Sequence, residues 1–372
     1  MHIVIRTDAS SDMGSGHVMR CLTLAKLLRD ELSASVEFVC RDLAGNLNNF
    51  IESSGFKVWR LSEVLIDYVS RQGSIDDCEI AESWKDDAIQ TFDAINKSGT
   101  KPDLLIVDHY SLDKLWEKYI RNTVSRIMVI DDLANREHSC NLLLDQNYYS
   151  NMETRYDDLV SNQCEKFIGP KYLLLRKEFY DVPNSHFKKE EKINRIFMFF
   201  GGSDSTHETV KAIESLKLVK SDFINIDVVV GQANNDKEKI QKMCLSISFV
   251  KYHYQVNNMA ELMSSADLAV VAAGSVIWET CVLGLPALTI MTAQNQVEAI
   301  SDLGEAGLIR NLGWCSNVSS ADIANAINDA SNNAKEINEM GMRATKIMGN
   351  FNGQKKIIIA IKALCEQKVS IL

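Results

Sequence analysis

Gly14-Ser15-Gly16-His17 joins a short apolar strand, His2 to Thr7, to a stretch in which Val18, Cys21, Leu22, Ala25, Leu28 and Leu32 recur at helical spacing. Glycines at such a junction let backbone N–H groups approach an anion, and the helix dipole favours negative charge there. The histidine is the unusual element. An imidazole at a helix start is biased toward its neutral, proton-accepting form. A phosphate-friendly turn with a base built into it points to chemistry on a phosphorylated substrate. A tight strand-to-helix turn with a surface histidine would look the same locally. Met19 stands where the dinucleotide fingerprint needs its third glycine, and no Walker lysine follows, so nicotinamide and ATP readings are poor.

Two further glycine steps have the same character. In FFGGSDSTHET, Phe199 to Thr209, a buried strand ends in Gly201-Gly202-Ser203. This is either an anion nest at a sheet edge or a polar loop capping the next helix through Ser205 or Thr206. In AAGSVIWETCVLGLPALTIMTAQNQ, Ala272 to Gln296, Gly274-Ser275 again separates a strand from a helix. Glu279 lies about one helical turn on, where a carboxylate can take two hydrogen bonds from a ribose diol. An ordinary solvated helix glutamate is the plainer alternative. Gly284 and Pro286 end that helix, and Gln294-Asn295-Gln296 supplies amides able to bind sugar hydroxyls. The combined spacing favours a nucleotide-sugar site.

Strand-end aspartates complete the set: Asp108, Asp131 and Asp132 face the crevice where open sheets bind ligands, or else cap helices. Tyr110 and Asn147 are natural sugar partners. Asp8, just before the glycine turn, either orients the His17 imidazole or caps a loop. His109 and His138 lie in no grouping with zinc or iron spacing, and the sequence requires no metal.

The elements that must position these residues are continuous Val/Ile/Leu runs alternating with helical stretches. They are Ile3 to Arg6, Val36 to Cys40, Leu104 to Asp108, Ile127 to Asp131 and Leu142 to Asp145, then Ile196 to Phe200, Ile226 to Val230, Leu268 to Ala272 and Ala287 to Ile290. Such runs belong to strands buried on both faces, as in parallel sheets covered by helices. Two sets imply an α/β chain of two doubly wound domains, 1–180 and 195–372. The polar, aperiodic stretch 181–194 is the expected linker. The region from Ser319 to Leu372 reads as helical with a break near Gly349 to Gly353.

The totals are those of a globular chain: 372 residues, 46% hydrophobic and 24% charged. The net charge of −10 argues against general nucleic-acid or anionic-membrane binding. No apolar run reaches the roughly 18–20 residues that span a bilayer, and the N-terminus lacks signal-peptide features. Nine cysteines without CxxC pairs fit a reducing cytoplasm.

Together the DAS…GSGHxxRCLxLA opening, DHYSLDKLWE, DDLANREH…LLLDQN, GPKYLLLRKEF, FFGGSD and GSVIWETCVLGLPALTI…NQ occur in the order found in one family. The chain resembles the UDP-2,4-diacetamido-2,4,6-trideoxy-β-L-altropyranose hydrolases of pseudaminic acid biosynthesis (PseG) over residues 1 to 312. More distantly, the second half resembles MurG-type glycosyltransferases. The resemblance implies a GT-B-like fold, two Rossmann-like doubly wound domains with UDP in an interdomain cleft. It implies metal-independent, cofactor-free hydrolysis by water attack at the anomeric carbon with inversion. His17 maps to the proposed base, and Tyr110 and Asn295 to the accompanying tyrosine and asparagine. Asp8 joins this catalytic set as the expected orienter. The expected substrate and UDP contacts are Gly14, Ser15, Gly16, Arg20, Gly201, Gly202, Ser203, Gly274, Ser275, Glu279, Gln294 and Gln296. The chain departs from the family in its extension beyond Leu312, where helices packing back across the domains are expected. A glycosyltransferase, a UDP-sugar 2-epimerase and a non-catalytic nucleotide-sugar-binding protein are the rival readings.

Overall fold

The computed structural model describes residues 1–11, 13–62, 77–182, 192–220, 225–349 and 352–367. The chain forms two compact units, one of 1–147, 151–174 and 351–372, the other of 148–150 and 175–350. Residues 183–191 of the expected linker lie outside the described residues.

The first unit holds β1 (His2–Thr7), β2 (Ser35–Arg41), β3 (Lys57–Leu61), β4 (Leu104–Asp108), β5 (Ile127–Ile130), β6 (Leu142–Asp145) and β7 (Glu165–Ile168), in the order β3-β2-β1-β4-β5-β6-β7. The second holds β8 (Arg195–Phe199), β9 (Asn225–Val230), β10 (Val250–Tyr254), β11 (Leu268–Ala272), β12 (Ala287–Met291) and β13 (Arg310–Trp314), in the order β10-β9-β8-β11-β12-β13. Every strand pairing in both sheets is parallel. The order reverses between β1 and β4 in one sheet and between β8 and β11 in the other. Chains leaving neighbouring strands at such a point diverge to opposite faces and leave a crevice at the carboxyl edge. The strands expected from apolar runs are all present. The structure adds β3, β7, β10 and β13, and each is an edge strand.

In the first unit, Ile3 and Ile5 of β1 pack with Val18, Cys21, Leu22, Ala25 and Leu28 of the helix Gly16–Leu32. That is the helical face the spacing predicts. Ile357, Ile358 and Ile361 of the helix Gly353–Glu366 belong to the same core. The division at 181–194 assigned this last helix to the second domain; it packs instead in the first unit because its isoleucine face completes that core. Its first residue lies against the turn Pro170–Tyr172, where a Cβ on Gly353 would stand 1.7 Å from the Lys171 carbonyl oxygen.

Val4, Val39, Leu105 and Val107 line the other face with Ala88 and Ile95 of the helix Asp77–Lys97. Within this apolar layer sits a buried ion network. Asp87 accepts from Arg6 Nη2 and Arg41 Nη2, both at 2.6 Å, and from Trp116 Nε1 at 3.0 Å. Asp8 accepts from Arg6 Nη1 at 2.6 Å and from the Arg41 backbone N–H at 2.6 Å. Burial by itself would raise the Asp87 carboxyl, but the Arg6 and Arg41 guanidinium groups hold it at about 2. Two cations and two anions balance.

Two expectations follow. Asp87→Ala leaves two buried guanidinium groups short of a carboxylate and costs about 3–5 kcal/mol in urea unfolding. Because the Asp87 carboxyl lies below its unfolded value, it adds about 2–3 kcal/mol above pH ~5, lost as pH falls through 4 toward 2. The variant's acid limb is correspondingly shallower. Gly353→Ala forces the last helix off the Lys171 carbonyl and lowers stability by about 1–3 kcal/mol, read as an earlier midpoint at unchanged slope.

Candidate active site

After β1 the chain doubles back at Ser10 and Gly14, where the Gly14 N–H donates to the Ser10 carbonyl at 2.9 Å. Gly14 has φ +74°, a conformation that disfavours side chains. The helix then starts at Gly16 with no side-chain cap and no acidic residue in its first turn. A Cβ at Gly14 or Gly16 would meet nothing within 4 Å, so the backbone here stands open to a ligand.

His17 is the second residue of this helix, and its imidazole is only 5% exposed. It turns onto the end of β4, which Thr7↔Asp108 pairing brings beside the end of β1. His17 Nδ1 lies 2.6 Å from Asp108 Oδ1. Arg20, one turn along, donates to the same carboxylate through Nε (2.6 Å to Oδ2) and Nη2 (2.7 Å to Oδ1), and through Nη1 to Asp132 at 2.8 Å. The Cys21 thiol adds a longer contact at 3.4 Å. Burial would raise the Asp108 carboxyl, yet Arg20 and then His17 hold it far below the usual carboxylate range. Asp108 is therefore an obligate acceptor. A neutral imidazole that donates through Nδ1 to this acceptor, 2.6 Å away, carries its lone pair on Nε2. Arg20 Nη2 also stands 3.1 Å from Nδ1, a longer contact than its 2.7 Å bond to Asp108 Oδ1. Tyr110 packs edge-to-face on the imidazole, centroids 4.3 Å apart at 78°, and restricts its rotation.

The structure thus brings His17, Tyr110, Arg20 and Asp108 together. Asp8, expected to orient the imidazole, is instead committed to Arg6, the Arg41 N–H and His109 Nε2 at 3.3 Å; Asp108 holds the orienting position. The reason is side-chain alternation, which sends Arg6 to the sheet face opposite the helix Gly16–Leu32 and draws Asp8 with it. Arg20, expected to meet the substrate, directs its guanidinium at Asp108 and Asp132. Asp131 and Asp145 share the Tyr156 hydroxyl at 2.9 and 3.0 Å. Asp131 also caps the Ala134 N–H at 2.9 Å, a structural role. Among the described residues no group of three or more His, Cys, Asp or Glu could hold a metal ion.

In the second unit the turns after β8 and β11 adjoin, since these strands pair where the order reverses. They carry Gly201-Gly202-Ser203 and Gly274-Ser275. Gly201 has φ +94°, and a Cβ on it or on Gly274 would meet nothing within 4 Å. The two helices that follow differ. Asp204 accepts from the Glu208 and Thr209 N–H groups at 2.9 Å, so a carboxylate already fills the start of the helix Glu208–Ser215, not Ser205 or Thr206. The helix Val276–Leu283 has no side-chain cap, which leaves its start the better anion seat. Glu279, one turn in, is no solvated residue: its side chain is 13% exposed and Oε1 accepts from Arg176 Nη2 at 2.9 Å. Burial raises its carboxyl, and Arg176 partly offsets this. Gln294 and Asn295 are exposed on a 3-10 turn after β12. Gln296 Oε1 accepts from the Thr292 and Ala293 N–H groups at 2.9 and 3.1 Å and fixes that turn. Asp108 as orienter and the Arg20–Asp132 clamp were missed; the strand-end position of Asp108 was the available signal.

Residues 196–357 match the glycosyltransferase family 28 C-terminal domain. The chain is 28% identical over 308 residues to the UDP-2,4-diacetamido-2,4,6-trideoxy-β-L-altropyranose hydrolase of Campylobacter jejuni, covering 82% of this chain and 97% of that enzyme. It is 29% identical over 308 residues to an uncharacterized protein of Methanocaldococcus jannaschii, covering 81% of this chain but 58% of that longer protein. The crystal structure of Acinetobacter baumannii MurG superposes with a TM-score of 0.65 at 15% identity, covering 97% of this chain and 99% of MurG. The chain therefore has two Rossmann-like domains of the GT-B type, matches the family 28 C-terminal domain over residues 196–357, and resembles a UDP-sugar hydrolase over four-fifths of its length.

Proposed function

We propose that this protein hydrolyses a UDP-activated 2,4-diacetamido-2,4,6-trideoxy sugar, the altropyranose of the similar Campylobacter enzyme, to UDP and the free sugar. The observation that carries the reading is the His17–Asp108 pair. With Nδ1 donating to Asp108, Nε2 of the neutral ring keeps the lone pair that a base needs. Glycosyl–phosphate cleavage passes through an oxocarbenium-like state as charge builds on departing UDP. His17 Nε2 takes a proton from water as the water oxygen bonds to the anomeric carbon. The bond from that carbon to the phosphate oxygen breaks on the opposite side, inverting configuration. Tyr110 and Asn295 contact the sugar. The turns at Gly274-Ser275 and Gly201-Gly202 receive the diphosphate through N–H groups fixed before the reaction, and Glu279 and Gln294 bind the nucleoside and sugar hydroxyls.

UDP release and anomeric configuration are followed by NMR with the UDP-sugar and no acceptor. His17→Ala keeps UDP affinity and loses about 10²–10⁴ in kcat, the usual contribution of a positioned base. Asp108→Asn loses about as much, because an amide that donates to Nδ1 turns the lone pair away from water. Near wild-type turnover in His17→Ala would refute the base. UDP formed only with an added hydroxyl acceptor would make the protein a glycosyltransferase, the reading its family 28 domain favours next. A new UDP-sugar without free UDP would make it an epimerase.

Turnover is expected to survive EDTA in full. A collapse restored by a divalent ion would overturn the metal-free mechanism.

A further inference from the structure

Arg20 is held by two carboxylates and lies one turn from the proposed base. Its Nε and Nη2 grip both oxygens of Asp108, at 2.6 and 2.7 Å, and Nη1 reaches Asp132 at 2.8 Å. With donors directed at carboxylates, it is poorly placed to hold a diphosphate. Among the described residues, the charged and titratable groups facing the imidazole are Asp108 from β4 and Tyr110 from the turn after it. From its own helix come Arg20, with Nη2 3.1 Å from Nδ1, and Cys21, whose thiol meets Asp108. Asp132 acts from behind Arg20.

A lone buried carboxylate 2.6 Å from an imidazole would draw a second proton onto the ring and hold it there as imidazolium, which cannot act as a base. The guanidinium changes this in two ways. Its positive charge opposes a second positive charge on the ring, and its two-pronged grip fixes the oxygen that aligns Nδ1. Tyr110 is uncharged and Cys21 is buried, so neither supplies the opposing charge.

We propose that Arg20 is a positioning residue that keeps His17 in the neutral, Nε2-accepting form by neutralising Asp108. The proposal rests on His17 being the base of the hydrolysis above. Asp132 has a subordinate part: it fixes the far end of the guanidinium so that the fork stays on Asp108.

The test uses the full-length protein as wild type, Arg20→Gln and Arg20→Lys, with two readouts. The first needs no substrate. Nitrogen-15 NMR of the labelled protein follows the His17 ring against pH, the signal being assigned by its absence in His17→Ala. Wild type shows a protonated Nδ1 and a bare Nε2 at neutral pH. Arg20→Gln stays imidazolium to a pH higher by about one to three units, the range expected for loss of one like charge at this distance. Arg20→Lys keeps the charge without the fork and stays within about one unit of wild type. The second readout is the pH profile of UDP release. Its acid limb moves up in Arg20→Gln by the same amount, while UDP affinity stays within about twofold, a difference too small to reflect a lost ion contact. Unchanged NMR titration in Arg20→Gln overturns the proposal. So does a tenfold loss of UDP affinity, which would make Arg20 a phosphate ligand. If Arg20→Gln does not fold, Arg20→Lys decides: an imidazolium persisting as far above wild type as charge loss predicts refutes charge balance. Absence of UDP release in wild type refutes the hydrolase reading alone, because the NMR titration still reads the effect of Arg20.

Discussion

One fully buried carboxylate organises the first unit's site. Asp108 ends β4 beneath the start of the helix Gly16–Leu32 and accepts from His17, Arg20 and Cys21 at once. A buried anion is costly unless paired and hydrogen-bonded. Here the pairing partner, the helix that carries it and the proposed base are drawn to one point by that need. The β1–β4 pairing is what makes this possible, since it sets Thr7 beside Asp108 and so the helix start above it.

The opposite face of the same strand ends carries a second polar cluster with a different character. Arg6, Arg41, Asp8 and Asp87 are fully buried and pair with one another, and Trp116 and His109 join the group. The two clusters sit near each other in sequence, with His109 following Asp108 and Asp8 following Thr7. Alternation of side chains across a strand separates them. One faces open backbone at Gly14 and Gly16; the other is sealed beneath the helix Asp77–Lys97. A buried, charge-balanced network is a structural device, and the open site beside it is the one proposed to carry the chemistry.

The second unit repeats the topology without repeating the base. Its order reversal brings two glycine turns side by side, and only one of the two following helices has a carboxylate accepting its first N–H groups. Asp204 spends its carboxylate on backbone N–H groups that would otherwise attract an anion, which leaves the helix start after Gly274-Ser275 as the open one. Helix dipoles of equal strength therefore need not make equal sites. A neighbouring carboxylate decides.

How much was legible in the sequence follows from burial. β4, β11 and β12 are buried along their whole length and read as unbroken apolar runs. β3, β7, β10 and β13 close their sheets at the edges; the first three mix exposed or half-buried positions with buried ones, β13 is half-buried throughout, and none reads as an unbroken buried run. The helix start at His17, the glycine turns and the break before Gly353 were likewise local, because glycine and helical periodicity act over a few residues. The partner of His17 was not. Asp8 stood nine positions away and looked suitable, whereas Asp108 stood 91 positions away. The same holds for Arg176 against Glu279 and for the isoleucines of the last helix in the first core. By itself the sequence determined two parallel-sheet domains and a histidine at a helix start. Only the tertiary structure decided which carboxylate meets that histidine, because strand order and the face of each side chain are settled by packing between segments distant in the chain.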